Sequence, residues 1–297
     1  MSTKTYGILW YLALAFGLAW LLWEIPFRLG VSPDSTYLQF LILPGAFAPA
    51  IATVVVRKWI TKEGFTDAGL RIHGEQWPYY LVAWLLPLLV VAAILGLSVL
   101  FTVGTPNFDA AAAVQNLLPE GQQLPENMPP VGWPLVLGQS LIMAMLAIPV
   151  LWGEEFGWRG YLQIRLLGDR PVLAAIITGI IWGVWHYPLN LRGYNFPDHP
   201  IAGLVVFPVS AVMLSIILGW LRYRSGSIWA ASLGHAATNA VGASLTTLLF
   251  VGSPALYTGY VGVLGWIPLG IICIWIVASG RLPWWVDERI YRRVPER

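Results

Sequence analysis

Ionised side chains are what this sequence has least of: Asp, Glu, Lys and Arg make up 11% of its 297 residues. Soluble domains carry roughly 25%, so an ordinary aqueous surface cannot be covered. Cysteine is nearly absent as well, Cys273 standing alone, which excludes a disulfide scaffold. The net charge of +2 is too small to argue for a nucleic-acid partner. Glycine and proline show no triplet period, so a collagen-like chain is excluded too. What the sequence does have is apolar surface. It is 57% hydrophobic, contains 17 Trp, and its mean hydropathy is +0.67.

The few charges are spaced so that uncharged runs recur along the whole length. About 20 apolar residues cross the hydrocarbon of a bilayer, where ionised groups are costly. Eight runs qualify: Tyr6 to Trp23, Tyr37 to Val56, Tyr80 to Val103, Trp133 to Gly153, Pro171 to Leu191, Ile201 to Leu221, Ser227 to Phe250 and Tyr257 to Ser279. The first is too long for a signal peptide and lacks a small-x-small cleavage site, so it reads as a retained span. The fold class expected is therefore all-α: one integral-membrane domain over residues 1–297, with about eight transmembrane helices around a polar cavity.

Sorting the 17 Lys and Arg along an eight-span path puts only Arg28 and Arg192 on one side. The positive-inside bias then makes both termini cytoplasmic. The connection 104–132 contains Asp109, Glu120 and Glu126 but no Lys or Arg, and reads as a non-cytoplasmic loop. The tail 281–297 joins Trp284 and Trp285 to Arg289, Arg292 and Arg293, which suits a cytoplasmic segment at headgroup level on an anionic leaflet.

Polar groups inside such a body need partners or water, and so carry the information. In Glu154-Glu155-Phe156-Gly157-Trp158-Arg159, Glu155 and Arg159 are four apart and share a helix face, whereas Glu154 points about 100° away. That leaves Glu154 available for proton transfer. Trp182 and His186 share one face of the fifth run, and His235 and Asn239 one face of the seventh, by the same spacing. Any one of these features alone reads as helix-to-helix glue. Two carboxylates, two imidazoles and a carboxamide on three spans read as a site, with a motif core at about 133–250. His199 falls in a polar loop and His73 in a cytoplasmic one, and both are set aside.

Glu-Glu-x-x-x-Arg, aromatic-x-x-x-His and His-x-x-x-Asn, in that order on successive membrane helices, resemble the CAAX-protease and bacteriocin-processing (CPBP, or Abi) family, which includes the type II CAAX prenyl endopeptidases. The second motif more commonly has Phe where this chain has Trp182, a departure expected to affect the aromatic wall more than the chemistry. The resemblance implies an intramembrane endopeptidase acting on a prenylated CAAX-type or other membrane-associated peptide. By that analogy Glu154, assisted by His186, activates water, His235 and Asn239 hold the oxyanion, and Glu155 and Arg159 support the first motif. No cofactor is required in this reading. The alternative is zinc, with Glu154, His186 and His235 as ligands. A noncatalytic peptide-binding or regulatory membrane protein and, last, a proton-coupled carrier are the other function classes.

Depth sets a further expectation. At about 1.5 Å per residue, His235 lies roughly 16 Å in from Arg224. Glu154 reaches that level only if its helix continues to near Leu167. Gly153 and Gly157, and Gly179 and Gly183, should let helices approach closely. Trp152, Trp158, Trp182 and Trp185 could wall an apolar groove. The partners expected are lipid and a peptide or lipidated protein, in a prokaryotic plasma membrane.

Overall fold

The computed structural model describes all residues except 1, 34, 36, 119–121, 126–129 and 287–297. Glu120, Glu126, Arg289, Arg292 and Arg293, on which part of the loop and tail expectations rest, lie outside the described residues. Among the described residues there are helices and no strand, as apolar runs of this length in hydrocarbon require: only a helix satisfies its own backbone.

The chain runs through α1 (Thr3–Arg28), α2 (Leu38–Ala46), α3 (Ala48–Val55), α4 (Trp77–Phe101), α5 (Ala110–Gln115), α6 (Trp133–Leu146), α7 (Ile148–Gly157) and α8 (Gln163–Leu166). It continues through α9 (Pro171–Trp185), α10 (Tyr187–Asn190), α11 (Pro200–Ser225), α12 (Ile228–Ala237), α13 (Ser244–Leu249), α14 (Ala255–Thr258) and α15 (Val263–Ala278). Three wide π-helical turns, Val56–Ile60, Trp158–Leu162 and Thr238–Ala243, extend α3, join α7 to α8 and join α12 to α13.

Each of the eight apolar runs contains helix, yet among the described residues five helices are long and apolar enough to cross a membrane, or six if the bent pair Trp133–Leu146 and Ile148–Leu166 counts as one span. The pair bends by 50° at Ala147, where Pro149 begins the second helix without an N–H to continue the ladder. Beyond the bend the helix runs on to Leu166, as the depth argument demanded. The fifth run yields the 15-residue α9, broken after His186 at Tyr187-Pro188.

Two charge clusters mark opposite ends of the body. At one, Arg28 and Arg192, the two basic residues expected on the less basic side, both pair with Glu24. At the other, Asp67 accepts from Arg57 at 2.8 Å and from Arg165 at 2.9 Å, Glu63 also binds Arg165, and the Arg222 guanidinium reaches the Asp67 carbonyl. Charges assigned to one side by the sequence thus meet in space.

The glycine pairs do what their spacing suggested. A Cβ on Gly183 would lie 2.6 Å from Pro208 Cα, and one on Gly179 2.5 Å from Val212 Cα, so α9 presses its backbone onto α11. On α7, Gly157 faces Pro49 and the Tyr11 hydroxyl, and Gly153 faces Phe47. These contacts fix α7 against α1 and α3, and α9 against α11, before any polar group is considered.

Candidate active site

Glu155 is fully buried on α7, and one of its oxygens serves two partners. Oε1 accepts from Arg159 Nη1 at 2.7 Å and lies 2.9 Å from His235 Nδ1 on α12. The ion pair expected from four-residue spacing is present, with both side chains excluded from solvent. Its extension to His235 was not legible, because it depends on how α12 is rotated against α7. Since a carboxylate only accepts, the His235 ring carries its proton on Nδ1. Its Nε2 is then a lone pair in the neutral ring and a donor in the imidazolium.

Glu154 points elsewhere, as the helical angle required. It is 7% exposed, and its Oε2 accepts from the indole Nε1 of Trp182 at 2.9 Å. Trp182 is itself buried, and besides Glu154 it meets three more members of the cluster. The Arg159 guanidinium carbon sits 4.6 Å from its ring centroid, and its edge contacts with His186 and His235 have centroid distances of 5.7 and 5.1 Å. Trp182 was expected to affect the aromatic wall more than the chemistry, and its indole also donates directly to the first carboxylate. The signal was in the sequence: of Phe and Trp, only Trp has a donor.

His186 ends α9, with Nδ1 2.9 Å from the Trp182 carbonyl. Because a carbonyl only accepts, the proton sits on Nδ1 and Nε2 offers a lone pair. An aromatic box from α1, α9 and α11 surrounds the ring: Trp23, Trp182, Trp185 and Phe207 lie within 4.8 to 6.1 Å of it. Two indoles tie that box to backbone, Trp185 to the Ala15 carbonyl and Trp20 to the Trp185 carbonyl.

Asn239 is placed differently. It lies in the wide turn after α12 and is exposed, whereas His235 is 4% exposed. Asn239 is the second residue of that turn, so the step from buried imidazole to exposed carboxamide falls where the helix widens. Glu154, Glu155, Arg159, Trp182 and His235 are brought into one connected cluster, His186 joins it through Trp182, and Asn239 stands at the exposed side.

Of the two readings open for the four tryptophans, a groove wall or plain membrane packing, three of them take the second. Trp158, Trp182 and Trp185 are at most 2% exposed and pack as core, with Trp158 and Trp185 edge to face at 5.5 Å. Trp152 alone of the four is partly exposed, stacked between Phe156 and Trp229. A cavity of about 410 Å³ lies at the Arg192 end, lined by Ser35, Gln39, Arg192 and Tyr194 among others, and the cluster does not line it. Among the described residues there is no group of three or more His, Cys, Asp or Glu that could hold a metal ion. Glu154 Oε2 and both Nδ1 atoms face protein partners, which fixes the orientation of the three side chains.

Residues 134–241, the segment holding all of these groups, match the family model described as type II CAAX prenyl endopeptidase Rce1-like. The chain is also 26% identical over 236 residues to the CAAX prenyl protease 2 of Methanococcus maripaludis, an alignment covering 76% of this chain and 79% of that relative. Both comparisons agree with the resemblance carried by the three motifs and support a membrane protease.

Proposed function

We propose that this Rce1-like membrane protease is an intramembrane endopeptidase that hydrolyses a peptide bond of a prenylated CAAX-type or other membrane-associated peptide with water activated by Glu154. The observation that carries the proposal is the division of labour between adjacent carboxylates. Glu155 is committed to Arg159 and His235, while Glu154 has one oxygen held by an indole N–H and, among the described residues, no cationic hydrogen-bond partner of its own. A carboxylate held in place but not neutralised by an ion pair is suited to take a proton from water.

The remaining roles follow from the ring tautomers. His186 presents the Nε2 lone pair toward proton uptake, assisting Glu154. His235 can donate from Nε2 only as imidazolium, a form that the Glu155 carboxylate on Nδ1 directly balances. In that form it would hydrogen-bond the tetrahedral oxyanion and then supply a proton to the leaving amine. Asn239, on the exposed side of the same helix, would add the second donor once substrate is seated. No step is routed through a metal ion. We place the protein in a prokaryotic plasma membrane with the Arg57 end and both termini cytoplasmic, on the strength of the charge bias.

The test is cleavage of a fluorogenic prenylated peptide by purified protein, comparing wild type with Glu154→Ala, His186→Ala and His235→Ala, each with and without chelator. Loss of cleavage in all three variants and indifference to chelator are expected. Cleavage surviving in Glu154→Ala refutes the mechanism, and loss on chelation with recovery on Zn²⁺ replaces it by a metal-dependent one.

A further inference from the structure

We propose that Trp182 is a positioning residue for the reaction, its indole N–H fixing the carboxylate plane of Glu154 so that the second oxygen addresses the attacking water. The inference deepens the proposed function and rests on Glu154 being the base. Three observations carry it.

The first is the bond itself. Trp182 Nε1 donates to Glu154 Oε2 at 2.9 Å in a buried setting, and a donor to an ionised acceptor makes one of the stronger hydrogen bonds available to a protein. It occupies one oxygen and leaves Oε1 as the site for a proton.

The second is that the donor cannot move. Trp182 is 2% exposed, its ring is in contact with the Arg159 guanidinium, and its edge meets both imidazoles. Its helix is pinned on two sides, by the Gly179 and Gly183 crossing with α11 and by the Trp185 indole on the Ala15 carbonyl of α1. A donor mounted so firmly imposes its direction on the carboxylate, whereas a surface donor would follow it.

The third is what a plain ring would leave behind. Phenylalanine at 182 preserves the aromatic contacts with Arg159, His186 and His235 but has no N–H. Glu154 Oε2 would then lie buried with its protein donor removed, and rotation about the last side-chain bond would no longer be restrained.

The experiment compares wild type, Trp182→Phe, Glu154→Asp and the double variant Glu154→Asp/Trp182→Phe, with Glu154→Ala as the base-deletion control. Cleavage of the fluorogenic prenylated peptide gives kcat and KM, and thermal unfolding in detergent gives stability. Trp182→Phe should lower kcat about ten- to hundredfold, the range of one hydrogen bond to a charged group. KM should stay within about twofold and the melting temperature near wild type, because ring packing is retained. In the Glu154→Asp background, where the shortened carboxylate no longer reaches the indole, Trp182→Phe should cost less than about threefold.

A Trp182→Phe enzyme with wild-type kcat, beside an inactive Glu154→Ala, overturns this inference and leaves the proposed function standing. So does a loss of kcat matched by an equal rise in KM or by a collapse in melting temperature, which is the mark of a packing role. Full activity in Glu154→Ala overturns both.

Discussion

Glu154 and Glu155 are neighbours in sequence, and replacing each by glutamine should injure a different property. Glutamine at 155 keeps the shape but removes the negative charge that faces Arg159 at 2.7 Å and His235 at 2.9 Å, in a place with no solvent exposure. Arg159 then has a buried guanidinium whose direct ion-pair partner is gone. Breaking a buried pair by removing one member costs about 3–5 kcal/mol. At about 2–4 °C per kcal/mol for a mid-sized chain, Glu155→Gln should melt at least about 6 °C below wild type. Glutamine at 154 leaves an amide oxygen that still accepts from Trp182, so the fold should melt within about 2 °C of wild type. Cleavage should nevertheless fall by about 10²–10⁴-fold, the usual worth of a general base. Thermal unfolding in detergent micelles, followed by tryptophan fluorescence, and cleavage of the fluorogenic peptide read the two effects separately. Equal destabilisation by both substitutions, or a Glu155→Gln protein as stable as wild type, would refute the division of labour.

Other outcomes are expected on the same grounds. Gly183→Ala should lower stability by about 1–3 kcal/mol, since its Cβ meets the Pro208 backbone, which cannot rotate away as a side chain could; unfolding of the purified variant checks this. Asp67→Ala removes a carboxylate shared by Arg57 and Arg165 and should destabilise by about 2–3 kcal/mol, with cleavage by the surviving folded fraction retained. Gly69→Ala should also be poorly tolerated: its φ of +71° is in the left-handed region, and the Arg222 guanidinium already fills the space beside it. Melting temperature measured in parallel with cleavage separates these structural losses from catalytic ones.

The helical class and the Glu155–Arg159 pair were legible in the sequence, because both depend on local order. Each uncharged run contains helix, and four-residue spacing brought Glu155 to Arg159. What could not be read was relative rotation. Uniformly apolar helices carry no stripe to say which face meets which neighbour, so neither the bond from Trp182 to Glu154 nor the contact between Glu155 and His235 followed from spacing. Nor did spacing tell that His235 would be buried and Asn239 exposed, at the point where the wide turn Thr238–Ala243 begins. For the tryptophans the sequence left a choice between lining a groove and packing that burial alone decides, and Trp158, Trp182 and Trp185 are core. Pro149 was available as a cause for the bend at Ala147, though proline is tolerated in straight membrane helices too.

Arg57 divides its donors between two parts of the chain that are far apart in sequence. One nitrogen holds Gly64 and Asp67 in the connection after α3, and the other holds the Gly160 carbonyl in the wide turn that follows the two glutamates. Neither side can let go without leaving a buried guanidinium short of acceptors. The connection and the helix bearing the two glutamates should therefore open together as one cooperative unit, and amide exchange in residues 64–67 should slow and quicken in step with that of residues 158–162.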